Sequence, residues 1–529
     1  MNGYTGKILH VDLTSGKLTV EQPEERFYRK YVGGSALGLY YALRDIPKGA
    51  DPLGPANLLV LSWGPAAGLP ISGQSRFCAT TKSPLTGGIG SSEAGGFWGA
   101  EAKMAGFDAI VVRGRAAQPV YLWVHDGEAE LRPADHLWGK VTGEVESILK
   151  GELDDARIQV LQCGPAGEKG VRFAALINMA NRANGRNGMG AVMASKNLKA
   201  VVVRGKARPQ AAYPDRLKAL SQWARDHTEE RAGGLGKYGT AGIISGQQAA
   251  GGFPTYNFTS GAFGEWEKLD GKTLYDTVLK ERDTCYACSI RCKRVVEIAD
   301  GPFPVDPVYG GPEYESVATL GSYCGVSDLA AVCKANELCN KYGLDTISCG
   351  ATVAWAMECF EKGLLTTEDT GGLELRYGDA AAMVTAVEQI AKSEGFGALL
   401  AEGSARAAQR IGRGTERFLL TTKNQEMPAH MPAVKTSLGL IYTVNPFGAD
   451  HQSSEHDPLY EGQAAENLLQ LGLLDAPEKR SLGTEKVRFA VYGQWCYSAL
   501  DSASVCQFVW GPSWQLMSTA QLVEMISAT

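Results

Sequence analysis

The chain has 529 residues, too many for one hydrophobic core, with the 44% hydrophobic and 21% charged content of an ordinary globular protein, so roughly two to four domains are expected. A net charge of −6 argues against a nucleic-acid polyanion as the main partner. The first twenty residues lack a basic stretch followed by an apolar one, and no apolar run reaches transmembrane length; the expectation is a cytoplasmic protein with no membrane segment. Its twelve cysteines then read as free thiols and a metal site rather than a disulfide framework.

The first 210 residues carry strand signals. Lys7 to Val20 alternates apolar and polar residues around Thr14-Ser15-Gly16-Lys17, which predicts a hairpin. A weak internal repeat follows: LLVLSWGPAAG (58–68) is echoed by IQVLQCGPAG (158–167), and AIVVRGRA (109–116) by AVVVRGKA (200–207). Two similar sheets are expected, able to sandwich a large ligand. Beyond residue 210 the pattern is helical, at 215–231, 327–342, 346–363, 379–394, 397–412 and 485–500. Between the last two runs, Pro428, Pro432, Pro446 and Pro458 interrupt a long irregular stretch of the kind that often carries function.

The most specific chemical signal is Cys285-Tyr286-Ala287-Cys288-Ser289-Ile290-Arg291-Cys292. Three thiolates at this spacing converge from one turn, and an iron–sulfur cluster needs a fourth. Structural zinc would recruit a second C-x2-C or a histidine pair, and neither is present. Cys324, Cys333, Cys339, Cys349, Cys359, Cys496 and Cys506 are all candidates for the fourth ligand, and spacing does not choose among them.

Several segments, in order along nearly the whole chain, resemble the tungsten-containing aldehyde ferredoxin oxidoreductases. They are YTGKILHVDL (4–13), KYVGGSALG (30–38), SGQSRFCATTKSPLTGGIGSSEAGGFWGAE (72–101), ANGRNGMGAVMASKNLKAVVVRG (183–205), GPEYES (311–316), GLDTISCG (343–350) and DSASVC (501–506). The resemblance implies an α+β protein: a sheet-rich N-terminal domain (1–210) forming the base for a bis-pterin metal cofactor, then two mainly α-helical domains (211–420 and 421–529), the last shorter than usual for the family. It implies a bis-pterin tungsten or molybdenum site, one [4Fe–4S] cluster and a Mg2+ bridging the pterin phosphates.

By the same resemblance, Cys506 joins Cys285, Cys288 and Cys292 as cluster ligand, and Asp345 and Asp501 bind the pterins. A carboxylate suits that task because it accepts paired hydrogen bonds; Asp345, ahead of a helical run, also reads as an N-cap. Arg76 meets the pterin phosphates and the cluster. Gly95, Gly96, Gly185, Arg186 and Gly188 belong to segments that approach phosphates and Mg2+, Ala183 supplies a Mg2+-contacting carbonyl, and Ser348 and Val505 complete the two aspartate motifs. Of Glu313 and Glu315 in GPEYES, Glu313 is expected as general base, with His451, rather than nearby His430 or His456, orienting the substrate oxygen.

Glu337-Leu338-Cys339-Asn340 lacks the histidine with which some relatives bridge subunits through a metal, so no bridging metal is expected and an oligomer is only an open option. The implied activity is oxidation of a small aldehyde to a carboxylate with water, electrons leaving through the cluster to ferredoxin or an iron–sulfur electron-transfer subunit. The competing readings are the tungsten-bearing subunit of a benzoyl-CoA reductase-type enzyme and, from another class, a non-catalytic iron–sulfur electron-transfer or scaffold subunit.

Overall fold

The computed structural model describes residues 1–460, 468–474, 477–478, 480–512 and 516–529. Its N-terminal part holds twelve strands in two six-stranded sheets. The first sheet comprises β1 (Ile8–Asp12), β2 (Lys17–Glu21), β3 (Leu59–Trp63), β4 (Phe77–Lys82), β5 (Ile89–Ala94) and β6 (Ala109–Arg113). The second comprises β7 (Val120–His125), β8 (Glu128–Pro133), β9 (Gln159–Cys163), β10 (Leu176–Asn178), β11 (Arg182–Asn184) and β12 (Leu198–Arg204).

The spatial orders are β2-β1-β6-β3-β4-β5 and, read from its own hairpin, β8-β7-β12-β9-β10-β11. Each sheet thus runs hairpin, parallel crossover pair (β1/β6, β7/β12), then an antiparallel meander to one edge. The repeated segments seen in the sequence occupy equivalent strands, β3 with β9 and β6 with β12. Both are interior strands with apolar residues on both faces, which is why they read as continuous apolar runs rather than alternating ones.

The expectation that the sheets sandwich a ligand needs correction. Leu59, Leu61 and Val112 of the first sheet share one apolar core with Leu161, Val201 and Val203 of the second. The outward residues Val60 and Val111 pack under the Gly34–Asp45 helix, and Val160 and Val202 under the Thr142–Glu152 helix. The space between the sheets is therefore filled. The two sheets meet instead at their edge strands: Asn184 Nδ2 donates to Ser92 O (2.8 Å), joining β11 to β5, and Asn178 Nδ2 of β10 donates to Gly95 O (3.3 Å) just beyond β5.

The sheets end at Arg204 and a long helix starts at Pro214 (Pro214–Tyr238). That helix packs with apolar residues of 66–71, 497–510 and 516–528 in one core, while residues of 241–429 form a second, mainly helical core that also takes in Leu85, Phe173 and Ala191. The expected 397–412 helix is broken into Gly397–Leu400 and Ser404–Ile411. Gly403, at φ +87°, makes the break, and it lets Ser404 N and Oγ both donate to Glu426 Oε1 (2.9 and 2.8 Å).

Candidate active site

A cavity of about 510 Å3 opens beneath the paired edges of β5 and β11 and is closed by the helical regions. Thirteen of the seventeen residues expected to serve the site line it, among them Gly95, Ala183 and Gly185 at the strand edges. Gly96, Gly188, Ser348 and Val505 do not. Gly96 and Gly188 hold left-handed backbone (φ +103° and +76°), the first accepting Tyr286 N–H (3.1 Å), the second starting the Met189–Ser195 helix. Ser348 is buried in the Thr346–Glu361 helix and Val505 in the C-terminal core.

The cysteine loop packs directly against a strand end: a Cβ on Gly95 would lie 2.9 Å from Cys285 Sγ. Burial, and after it the negative charge of Cys292, Cys285 and Cys506, pushes the Cys288 thiol well above its ordinary value; burial pushes Cys292 up to about 12. Four half-buried thiols within electrostatic reach of one another are a donor set that suits a thiolate-bound metal cluster. Cys506 lines the cavity with the triplet. Cys496 faces Glu455 and Asp501 instead, and Cys324, Cys333, Cys339, Cys349 and Cys359 lie in the helical core.

Cys506 is placed by close backbone packing. The Thr484–Ala503 helix carries Asp501 in its last turn, and left-handed Ser504 (φ +53°) ends it. The carbonyls of Asp501 and Ala503 press on Gly34 and Gly64, where any Cβ would collide. Cys506 N then donates to Gly73 O (2.6 Å), fixing the thiol beside Arg76 Nη2 at 3.6 Å.

The two oxygens of Asp345 face different ways. Its Oδ1 caps the Thr346–Glu361 helix by accepting Ile347 N–H (3.0 Å), while Oδ2 is buried at the cavity with no hydrogen-bond partner, 3.4 Å from Arg186 Nε. The capping and binding readings are therefore compatible. Asp501, also lining the cavity, has its carboxyl raised by burial and by Glu93 and Asp450, with Arg76 opposing. Glu93 is itself pushed up to about 7 by burial, against the pull of Arg76 and Cys78. Arg186 also lines the cavity. Its terminal nitrogens each donate once, to Ala449 O (2.7 Å) and Glu426 O (2.6 Å), so it clamps the proline-rich loop onto the sheet edge, while Nε is buried without a hydrogen bond.

The two glutamates of GPEYES part company. Glu313 is the N-cap residue of the Tyr314–Leu320 helix and Glu315 lies in its first turn, so their side chains leave in different directions. Glu313 pairs with Lys293 Nζ (2.5 Å) and accepts the Thr240 hydroxyl. Burial would raise its carboxyl, but Lys293, Thr240 and Arg182 overcome this and hold it below the ordinary value. Glu315 instead accepts Ala429 N–H through Oε2 (2.7 Å), with Oε1 at 3.0 Å from His430 Nε2 and 3.4 Å from His451 Nε2. Burial keeps His430, His451 and His456 neutral, well below the usual imidazole value. Glu315, His430 and His451 are also close enough to share a metal ion, while His430 Nδ1 is engaged by Lys435 Nζ at 2.6 Å.

Arg182, Lys293 and Lys435, which the sequence did not single out, also line the cavity, as do Glu315 and His430, which it offered only as alternatives to Glu313 and His451. Arg182 is 3% exposed, bonded to Asp283 (2.8 Å) and Thr284 O (3.1 Å), and electrostatically coupled to Cys285 and Cys292; its burial could have been read only from the strand around it. The fit to a large polyanionic cofactor rests on buried polar atoms lining the cavity without hydrogen-bond partners: Arg76 Nε, Arg182 Nε, Asn187 Oδ1, Asn336 Nδ2, Asp345 Oδ2 and His451 Nδ1. Stranding six such atoms is costly in a site meant to stay empty.

Comparison with known proteins accords with this arrangement. Family models described as "Aldehyde ferredoxin oxidoreductase, N-terminal domain" and "Aldehyde ferredoxin oxidoreductase, domains 2 & 3" match residues 8–205 and 217–529. A tungsten-containing aldehyde ferredoxin oxidoreductase of Pyrococcus abyssi is 39% identical over 96% of this chain and 82% of its own length. The WOR-like subunit of an aliphatic sulfonate oxidoreductase from Pyrococcus furiosus is 31% identical over 88% of this chain and 78% of its own. Among solved structures, the active site complex BamBC of benzoyl coenzyme A reductase superposes with a TM-score of 0.85 at 24% identity, covering all of this chain and 85% of that one, a likeness of fold.

Proposed function

This chain belongs to the aldehyde ferredoxin oxidoreductase family, and from that premise we propose that it oxidises an aldehyde to a carboxylate with water as oxygen source. The reaction releases two electrons, which pass singly to a ferredoxin, together with three protons. When bound, a tungsten held by two pterins supplies the two-electron oxidation and a [4Fe–4S] cluster the one-electron relay. Cys285, Cys288, Cys292 and Cys506 would hold the cluster. Asp345 and Asp501 would hold the pterins, Arg76 and Arg182 their negative charge, and the strand-edge backbone at Gly95, Ala183 and Gly185 offers close approach to phosphates and a Mg2+.

The base is assigned to Glu315 rather than Glu313. Glu313 is already neutralised by Lys293, which lowers its basicity. Glu315 has one oxygen anchored by Ala429 N–H and the other facing neutral imidazoles, so it can take a proton from water or a hydrated aldehyde. His451, neutral and with Nδ1 unengaged, can orient the substrate oxygen. The observation that carries this reading is that Glu315 and His451 line the same cavity as the four converging cysteines.

Anaerobically purified protein tests it. Tungsten or molybdenum with about four irons, and oxidation of at least one aldehyde with a viologen dye as acceptor, is the expected result. Zinc alone, or no turnover of any aldehyde in a broad panel, would sink the proposal.

A further inference from the structure

Glu315 can act as a base repeatedly only if the proton it takes leaves. The structure provides a way out that the assigned roles do not use. His430, 4% exposed, places Nε2 3.0 Å from Glu315 Oε1, an oxygen buried without a hydrogen bond, and Nδ1 within a 2.6 Å hydrogen bond of Lys435 Nζ. Lys435 is 2% exposed, and among the described residues its hydrogen bond goes to that imidazole. A buried ammonium kept for structure pairs with a carboxylate. Of the two carboxylates that act on Lys435, Glu315 lies across the His430 ring, and Asp457 is already engaged by Lys486 Nζ (2.6 Å) and by Ser437 N (3.1 Å).

We propose that Glu315, His430 and Lys435 form a buried proton relay in which Lys435 Nζ receives the proton that Glu315 takes at the substrate. The inference rests on the aldehyde-oxidising reading above. In one concerted shift the Glu315 O–H bond breaks as His430 Nε2–H forms, and His430 Nδ1–H breaks as Lys435 Nζ–H forms. The products are a carboxylate, the other imidazole tautomer and an ammonium; no electrons move. Lys435 then gives its proton to water entering along the cavity, which His430 and Lys435 both line, and the ring resets by exchange with the same water. Lys435 acts through His430, so it is a positioning residue for the proton rather than a catalytic one.

The surroundings allow Lys435 to accept. Burial brings it down to about 7, opposed by Glu315 from the Tyr314–Leu320 helix and by Asp457, whose charge Lys486 of the Thr484–Ala503 helix offsets; His430 and His456 face it as neutral rings. The sign follows: Lys435 accepts when neutral, so turnover should fall as pH drops below about 7.

The test compares wild type, Lys435→Met and Lys435→Arg, with tungsten and iron content checked to be equal. Wild-type aldehyde turnover should show an acid limb near pH 7. Both variants should lose about 10- to 100-fold at pH 8, with KM changed little and the limb gone; the arginine keeps the charge but cannot give up a proton. Variants retaining the wild-type rate and limb would overturn the relay. Competitive labelling with acetic anhydride reads the lysine without turnover. Half-reaction of Lys435 near pH 7, moving lower in Glu315→Gln, supports the inference even in a protein that oxidises no aldehyde offered. Ordinary lysine basicity overturns it even where aldehyde oxidation is found.

Discussion

Glu313 and Glu315 stand two positions apart, yet their surroundings are of opposite kinds. Around Glu313 every charge is answered: Lys293 pairs with it, Arg182 adds a second cation, and both cations sit beside the cluster cysteines. Around Glu315 the partners are neutral rings and a lysine whose charge changes near neutral pH. One neighbourhood fixes charge, as suits a group that stores electrons. The other leaves charge free to move, as suits proton transfer. A single helix start separates them, because the chain turns from extended at Glu313 to helical at Tyr314.

The comparison can be broken from either end. On the cluster side the largest effect should come from Cys506→Ala, which should lower iron from about four per chain to near none in a colorimetric iron assay. Cys496→Ala should leave it unchanged; equal losses would mean that the fourth ligand is misassigned. Next, Glu313→Gln should cost about 1–3 kcal/mol of stability by leaving Lys293 without its counter-charge, read as a lower urea midpoint. No change would mean that the pair is solvated and that the charge-fixing account of this wall is wrong.

On the proton side the expected effect is a pH slope. His430, His451 and His456 stay neutral when folded, with values below the ordinary imidazole, so below pH about 6.5 the unfolded chain binds protons that the folded one refuses. Their contribution is whole above that pH and is lost as pH falls toward the folded values, at up to about 1.4 kcal/mol per ring per pH unit. His456→Gln should flatten the slope of stability against pH between 5 and 6.5 by one proton's worth; an unaltered slope would show the ring already charged. The smallest expected effect is at Asp345. Asn can keep the helix cap, whereas Ala should cost about 1 kcal/mol, and both should reduce tungsten content.

Much of this was legible before the structure. The apolar runs at 58–63 and 200–204 announced interior strands because such strands are buried on both faces, and their repetition announced two sheets of equal topology. The cysteine triplet stands out in the sequence because its three thiols are local, and Cys506 enters only through the family pattern. What was not legible depends on direction. Sequence spacing does not say that a helix begins between Glu313 and Glu315, nor that Arg186 spends its terminal nitrogens on the backbone of a loop more than 200 residues away. Lys435 and His430 lie in an irregular stretch without periodicity, where no rule orients a side chain, and the filled space between the sheets reflects inward faces that only the register reveals.

The division of labour rests on Glu315, and the most direct measurement is aldehyde turnover of Glu315→Gln beside Glu313→Gln, each with tungsten and iron at wild-type levels. The account predicts that Glu315→Gln loses about 100- to 10,000-fold in kcat while Glu313→Gln keeps most of its rate. Loss of turnover in Glu313→Gln with Glu315→Gln active would contradict it.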